Sequence, residues 1–297
     1  MDSPTTGNTV RALTTDGNGT FHESTYTIPE MNEGDILVKA VMTGVCRSDI
    51  AMMNGEFPLL PASMHGHEGL GIDVATGKYV ATRGEPAYAD YYVARKDTYV
   101  EVPELDPKYI IEPVACAVNI IMDNFVEIRQ RINGNVCILG TGFLAQVAFK
   151  TLTYFPELQF NKIDVVGNSN KDFWGITYSN PNDIEYDIVI DLSEKPTLMN
   201  TKLAERGLVI LAADKKQPVS TTFSDWLWKN VTIKCPSPRS ANFLGSMKFA
   251  VKLVEDGWIN LDNTWTKGYS REDEWVHAFN DAVNRTEGYN RGYIKWD

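Results

Sequence analysis

The chain has 297 residues, 43% of them hydrophobic and 23% charged, with a net charge of −11. That length holds two ordinary domains, and seven Trp, thirteen Tyr and twelve Phe exclude a disordered chain, because such side chains supply the burial that offsets chain entropy. The acidic total repels phosphate backbones, so nucleic acid is not an expected partner and any anionic cofactor must be held locally, by a helix N-terminus or single basic side chains.

Residues 1–10 have neither the basic start nor the apolar stretch of a secretory signal. No segment approaches the roughly 20 apolar residues that span a bilayer, so a cytosolic protein without membrane contact is expected. Cys46, Cys116, Cys137 and Cys235 are scattered and form no CxxC pair, which predicts reduced thiols and no cysteine-rich zinc lobe.

From Thr9 to about Tyr99, short β-type runs such as 36–41 and 91–94 alternate with Gly, Pro and Asp clusters, which predicts an irregular β domain. After Pro113 the rhythm becomes strand, turn, helix: a strand over 136–139, a helix over 145–154 and a second strand over 163–166. Strands at 187–191, 208–211 and 232–234 and a helix over 243–256 continue the alternation and predict an α/β, doubly wound parallel sheet. The tail adds an amphipathic helix around 273–284, with Arg271-Glu272-Asp273-Glu274 as its start, and a final strand at 292–295. There is no internal repeat.

Within that alternation, Gly140-Thr141-Gly142-Phe143-Leu144-Ala145 follows an apolar strand, opens a helix and precedes another strand. There Gly140 permits the tight turn, Gly142 lets the backbone approach a pyrophosphate, and small Ala145 lets helix and strand pack. Phe143 and Leu144 are expected to meet the cofactor there, with the anion on the positive end of the helix that follows. A glycine-rich turn between any strand and helix carries the same letters. At the end of the second strand, where NAD binding uses an acid, the chain reads Gly167-Asn168-Ser169-Asn170-Lys171. Asn168, Ser169 and Lys171 suit a 2′-phosphate, so NADP is expected over NAD; the other reading is an ordinary polar loop.

Upstream stand Cys46 in Gly44-Val45-Cys46-Arg47-Ser48-Asp49 and His67-Glu68 in His65-Gly66-His67-Glu68-Gly69. A thiolate, an imidazole and carboxylates bind Zn²⁺ tetrahedrally, and a catalytic site leaves one position open. Neither HxxxH nor CxxC is present, so spacing alone does not identify zinc. Taken singly, Cys46 reads as a small buried hydrophobe, His67 as a hydrogen-bonded loop histidine and Glu68 as a surface acid.

In order along the chain, the Cys46 motif, Gly66-His67-Glu68-Gly69, Ile111-Glu112-Pro113 and Gly140-Thr141-Gly142 resemble the zinc-containing medium-chain alcohol dehydrogenases, including their sorbitol and threonine dehydrogenase branches. The resemblance implies a GroES-like catalytic domain over 1–116 and 260–297, interrupted by a Rossmann domain over 117–259. It implies that Cys46 and His67 ligate one zinc, with Glu68 a direct or alternating third ligand and Glu112 a ligand directly or through water. Ser48 would take the substrate proton, Asp49 would orient the histidine ligand and Arg47 would contact the cofactor pyrophosphate. Cys116 would be structural. The implied reaction moves a hydride between an alcohol or polyol and NADP or NAD, or reverses to reduce a carbonyl. A homodimer or homotetramer, paired near 231–236, is implied as well.

The chain departs from that pattern in two places. Too few residues separate His67 from Tyr88 for a four-cysteine structural lobe, and Ala51 stands where some relatives carry a relay histidine. A metal-free quinone or enone reductase of the same fold and a catalytically silent nucleotide-binding protein therefore stand as alternatives. His65 is expected to be structural or to support a ligand, Met52, Met53 and Met64 to fill the core or line a pocket, and Trp226, Trp228 and Trp258 to pack or to form an interface.

Overall fold

In the computed structural model the described residues are 3–56, 65–84, 86–167, 184–193, 202–213, 223–285 and 287–296. They fall into two units, 1–113 with 260–297, and 114–259. The first begins with β1 (Thr9–Thr15), β2 (Phe21–Thr27), β3 (Ile36–Gly44), α1 (Arg47–Met53), β4 (Glu68–Asp73), β5 (Tyr79–Arg83), β6 (Tyr91–Ala94) and β7 (Tyr99–Glu101). The helix α2 (Glu112–Met122) leads into the second unit, which continues with α3 (Phe125–Arg129), β8 (Asn135–Leu139), α4 (Phe143–Tyr154), β9 (Lys162–Val166), β10 (Tyr186–Asp191), β11 (Leu203–Leu211), α5 (Phe223–Trp228), β12 (Thr232–Lys234) and α6 (Phe243–Glu255). The tail returns to the first unit as β13 (Trp265–Ser270), α7 (Trp275–Asn284) and β14 (Arg291–Lys295).

In the first unit β1 and β2 form an antiparallel hairpin. A second sheet runs β13-β14-β3-β4-β5-β7, with β6 also paired to β3. The tail is therefore built into the N-terminal sheet: β14 lies antiparallel to β3, with Tyr293 opposite Gly44. Central β4, bonded on both sides, is buried along nearly its whole length, whereas peripheral β2 is mostly exposed. The core beneath includes Leu13, Ile28, Val38, Tyr88, Tyr92, Met53 and Ile294. Phe21 stacks on Phe279 of α7 at 4.0 Å between ring centroids, and Tyr88 meets both edge-on.

The second unit is a five-stranded sheet in the order β12-β11-β10-β8-β9. Its neighbouring strands are all parallel. Near-continuous Val, Ile and Leu in β8 and β10 reflect a parallel sheet covered on both faces. Ile138, Val165, Ile190 and Ile210 pack with Ala145 and Leu152 of α4 in one cluster. Cys137, Val189, Val209 and Tyr186 pack in another, against which Trp226 is partly buried.

Three expectations change. The β11 strand starts at Leu203 rather than 208, because left-handed Arg206 (φ 60°) lets an irregular stretch join it. The helix α4 starts at Phe143, directly after Gly142, rather than at Ala145. Arg271 to Glu274 is not a helix start: α7 begins at Trp275. Arg271 is instead buried, its Nη1 donating to Glu23 at 2.9 Å and its guanidinium lying 5.5 Å from the Trp296 ring. Charge on a long side chain hides that possibility in the sequence, since an apolar stem and a single partner suffice to bury it. No helix among the described residues is long and apolar enough to cross a membrane.

Candidate functional site

The metal-type residues converge because β3, α1 and β4 meet at one place. Cys46 caps α1 from an extended backbone (φ −91°, ψ 157°). Its N–H donates to Oδ2 of Asp49 at 2.8 Å, so the acid three residues along ties down the thiol-bearing residue. His67 directly precedes β4, and Glu68 is that strand's first residue. A sulfur of Cys46, a ring nitrogen of His67 and a carboxylate oxygen of Glu68 all lie within 4.8 Å of one another.

Around these donors the support is polar and buried. Asp49 is fully buried; its Oδ2 also accepts the Tyr88 hydroxyl at 2.8 Å, and its Oδ1 lies 3.5 Å from Nδ1 of His67. That contact turns Nε2 of His67 toward the opposite side, where Ser48 Oγ stands 3.4 Å away. Burial works against a charge on His67, but Asp49 and Cys46 outweigh it and hold the imidazole well above its ordinary pKa. The Tyr88 hydroxyl is pushed up, first by burial and then by the Asp49 charge. Tyr88 therefore stays a neutral donor to that carboxylate.

Glu68 is not the surface acid that its type suggests. It is fully buried, and both its oxygens accept from Nη2 of Arg291, at 2.5 and 2.6 Å. Arg291 keeps its charge: burial opposes it, and the charges of Glu68, Cys46 and Glu112 more than compensate. Glu112, first in α2 and buried, lies outside the Cys46, His67 and Glu68 trio yet acts electrostatically on Arg291. Arg47 is exposed. His65 is structural, with Nδ1 2.7 Å from Thr14 Oγ1, and Met52 and Met53 are buried in the core.

A zinc ion suits this donor set. Thiolate, imidazole and carboxylate are its ordinary ligands, and a carboxylate on the second ring nitrogen of a ligating histidine is the usual support. Cys46 and His67 would hold it, with Glu68 or Glu112 as the acid. Tyr88 and Arg291 are absent from the motifs and no local signal marks them. Only the long-range pairing of β14 with β3 brings Arg291 to Glu68.

In the second unit the glycine-rich turn has the form its mechanism needs. Gly140 has φ 123°, a conformation that side chains disfavour, and its N–H donates to Val166 at 2.7 Å, tying the ends of β8 and β9 together. Gly142 precedes α4, and a Cβ there would meet nothing within 4 Å. Phe143 and Leu144 thus present the open N-terminal turn of a twelve-residue helix. The turn lies at the ends of β8 and β9, beside the point where the strand order reverses between β8 and β10. Asn168, Ser169 and Lys171 lie outside the described residues.

Residues 32–86 match the model of the alcohol dehydrogenase GroES-like domain. An alcohol dehydrogenase of Geobacillus stearothermophilus is 41% identical over 54 residues, a stretch covering 18% of this chain and 16% of that protein. The fold extends much further than that sequence match. The 2R,3R-butanediol dehydrogenase of Bacillus subtilis superposes with a TM-score of 0.77 at 14% identity, over 97% of this chain and 99% of that one. The S. aureus TarJ protein in complex with NADPH gives a TM-score of 0.78 at 16% identity, over 98% of this chain and all of its own. Residues 32–86 are thus similar to the alcohol dehydrogenase GroES-like domain, and the fold over nearly the whole chain is the one these dehydrogenases share.

Proposed function

We propose that this protein is a zinc-dependent oxidoreductase that oxidises an alcohol or polyol, or reduces the corresponding carbonyl, with NADP preferred over NAD. The observation that carries the reading is the convergence of Cys46, His67 and Glu68 within 4.8 Å, with Asp49 behind His67 and Ser48 beside it.

When bound, zinc supplies a positive charge that eases proton loss from an alcohol, and the nicotinamide supplies the hydride acceptor. The chain's own residues do the rest. Asp49 holds Nδ1 of His67, which would leave Nε2 to ligate the metal. Ser48 Oγ, 3.4 Å from that nitrogen, is placed to take the substrate proton. With Ala51 in place of a relay histidine, water or a ribose hydroxyl of the bound cofactor would have to carry the proton on from Ser48. Gly140, Gly142, Phe143 and Leu144 would hold the pyrophosphate.

The NADP preference rests on Asn168, Ser169 and Lys171 and on the absence of an acid among them. The polyol class rests on the Glu112-Pro113 motif and on the fold shared with a butanediol dehydrogenase. We also propose a homodimer built on the β12 edge, and a cytoplasmic location, which the scattered cysteines without a CxxC pair favour.

The test is an alcohol and polyol panel with NADP and NAD on zinc-loaded protein, alongside Ser48→Ala and Cys46→Ala. Ser48→Ala should lower kcat by about 10²-fold or more, the ordinary contribution of positioned proton transfer. Quinone reduction that persists at full rate in Cys46→Ala would favour the metal-free reductase, and cofactor binding without any turnover would favour the silent binder.

A further inference from the structure

Tyr88 stands one step behind the groups that face the metal donors. Its hydroxyl donates to Oδ2 of Asp49 at 2.8 Å, the same oxygen that accepts the Cys46 N–H at 2.8 Å. Both close donors therefore fall on one oxygen, and Oδ1 is left facing Nδ1 of His67 at 3.5 Å. The hydroxyl also lies 3.2 Å from the Gly44 carbonyl, but it has one proton to give, and the nearer, charged acceptor takes it. Burial and the Asp49 charge keep that proton on the phenol.

The tyrosine is itself held in place by distant parts of the chain. Its ring meets Phe21 of β2 and Phe279 of α7 edge-on, each at 5.7 Å between centroids, and those two rings stack on each other. Another side of the ring lies against Gly66, the residue before His67, where a Cβ would fall 2.6 Å from Tyr88 Cγ. The Tyr88 N–H donates to the His65 carbonyl and the Ala87 N–H to that of Gly66, both at 3.0 Å. A ring fixed on these sides delivers its hydroxyl to one point.

We propose that Tyr88 is a positioning residue for the metal: together with the Cys46 N–H, its hydroxyl fixes the plane of the Asp49 carboxylate so that Oδ1 supports His67. This deepens the zinc reading of the same site and rests on it. The last torsion of an aspartate has broad minima, so hydrogen bonds rather than the side chain's own preference set that plane. Without the hydroxyl, Oδ2 keeps one close donor and the carboxylate is free to turn. A separation of 3.5 Å is already at the limit of a hydrogen bond, so a small turn is enough to lose His67.

The experiment uses cobalt(II) as the probe, because its d–d bands report the ligands around it, and measures affinity by chelator competition. Tyr88→Phe keeps the ring between its neighbours and removes only the hydroxyl. It should bind cobalt about tenfold more weakly and shift the d–d bands, as loss of a group that orients a ligating histidine does. Tyr92 is equally buried, but its hydroxyl lies 2.8 Å from Thr82 Oγ1. Tyr92→Phe should therefore lower the urea midpoint and leave cobalt affinity and bands unchanged. On top of Asp49→Ala, where the hydroxyl has no carboxylate to hold, Tyr88→Phe should weaken binding by less than about twofold. Phe21→Leu, which removes one wall of the ring and keeps the hydroxyl, should weaken binding by about threefold or more.

Wild-type affinity and bands in Tyr88→Phe, folded as judged by near-ultraviolet circular dichroism, would overturn the positioning role while the metal site stands; if that variant does not fold, the same result in Phe21→Leu would do so. A full loss that recurs on top of Asp49→Ala, or an equal loss in Tyr92→Phe, would also overturn it. If the wild-type protein takes up no cobalt, the zinc reading and this inference fall together.

Discussion

Oδ1 of Asp49 lies 3.5 Å from Nδ1 of His67, while the other oxygen of the same carboxylate takes the backbone N–H of Cys46. One buried acid therefore positions both residues to which the zinc reading assigns the metal. Asp49→Asn keeps the shape and removes the charge, and it should weaken zinc binding by about 10 to 100-fold, the usual effect of losing a carboxylate behind a ligating histidine. Chelator competition measures this; an unchanged affinity in a folded variant would remove Asp49 from the site.

The two glycines of the nucleotide turn should separate folding from binding. Gly140 has φ 123°, so Gly140→Ala is strained and should lower stability, read as a reduced urea midpoint. Gly142 has φ −80° and open space around its missing Cβ, so Gly142→Val should fold normally. The added side chain would occupy the approach to the helix N-terminus, and NADPH affinity, measured by fluorescence titration, should fall about tenfold or more.

Acid stability has a defined contributor outside the site. Asp35 accepts the Asn32 N–H and the Lys96 N–H, both at 2.9 Å, and Nη1 of Arg95 at 2.6 Å. These contacts, the Asn32 N–H foremost, hold its carboxyl at about 2 against an ordinary 3.8. A depressed folded pKa stabilises the protein above the unfolded value, so this contribution is complete above about pH 4 and is lost as the pH falls toward 2. Asp35→Asn should flatten the acid limb of the stability profile in that window and lower stability at neutral pH. A profile parallel to wild type would contradict the assignment.

Assembly can be tested at the β12 edge. Leu227 and Trp228 of α5 are 77% and 85% exposed, and Ile233 of the edge strand is 41% exposed. An edge that is unpaired among the described residues, beside exposed apolar side chains, suits pairing with a second copy about a two-fold axis. Sedimentation should show a dimer that Ile233→Lys with Trp228→Glu converts to monomer; a monomeric wild type would end that proposal.

Much of this was legible in the sequence because it is local. The alternation after Pro113 identifies the parallel sheet, and the strand, glycine turn and helix at 135–154 share one short stretch of chain. Cys46 and Asp49 also belong to one turn, so their spacing carries their contact. What was not legible depends on distant pairing. Arg291 reads as the step into a last strand, and Tyr88 as one tyrosine among several. Arg271 reads as part of a helix start until β13, β14 and the hairpin are assembled around it. The residues proposed to accept a 2′-phosphate show the opposite case, since Asn168, Ser169 and Lys171 are visible as a pattern but lie outside the described residues.

The central claim is that Cys46 and His67 hold a catalytic zinc. The most direct measurement is zinc per chain by elemental analysis, on protein purified without chelator, for wild type and Cys46→Ala. The account predicts about one zinc in the wild type, as expected of a single three-donor site, and loss of that zinc in Cys46→Ala. A wild-type protein that holds no zinc even after repletion, or a Cys46→Ala protein that keeps it, would contradict the account.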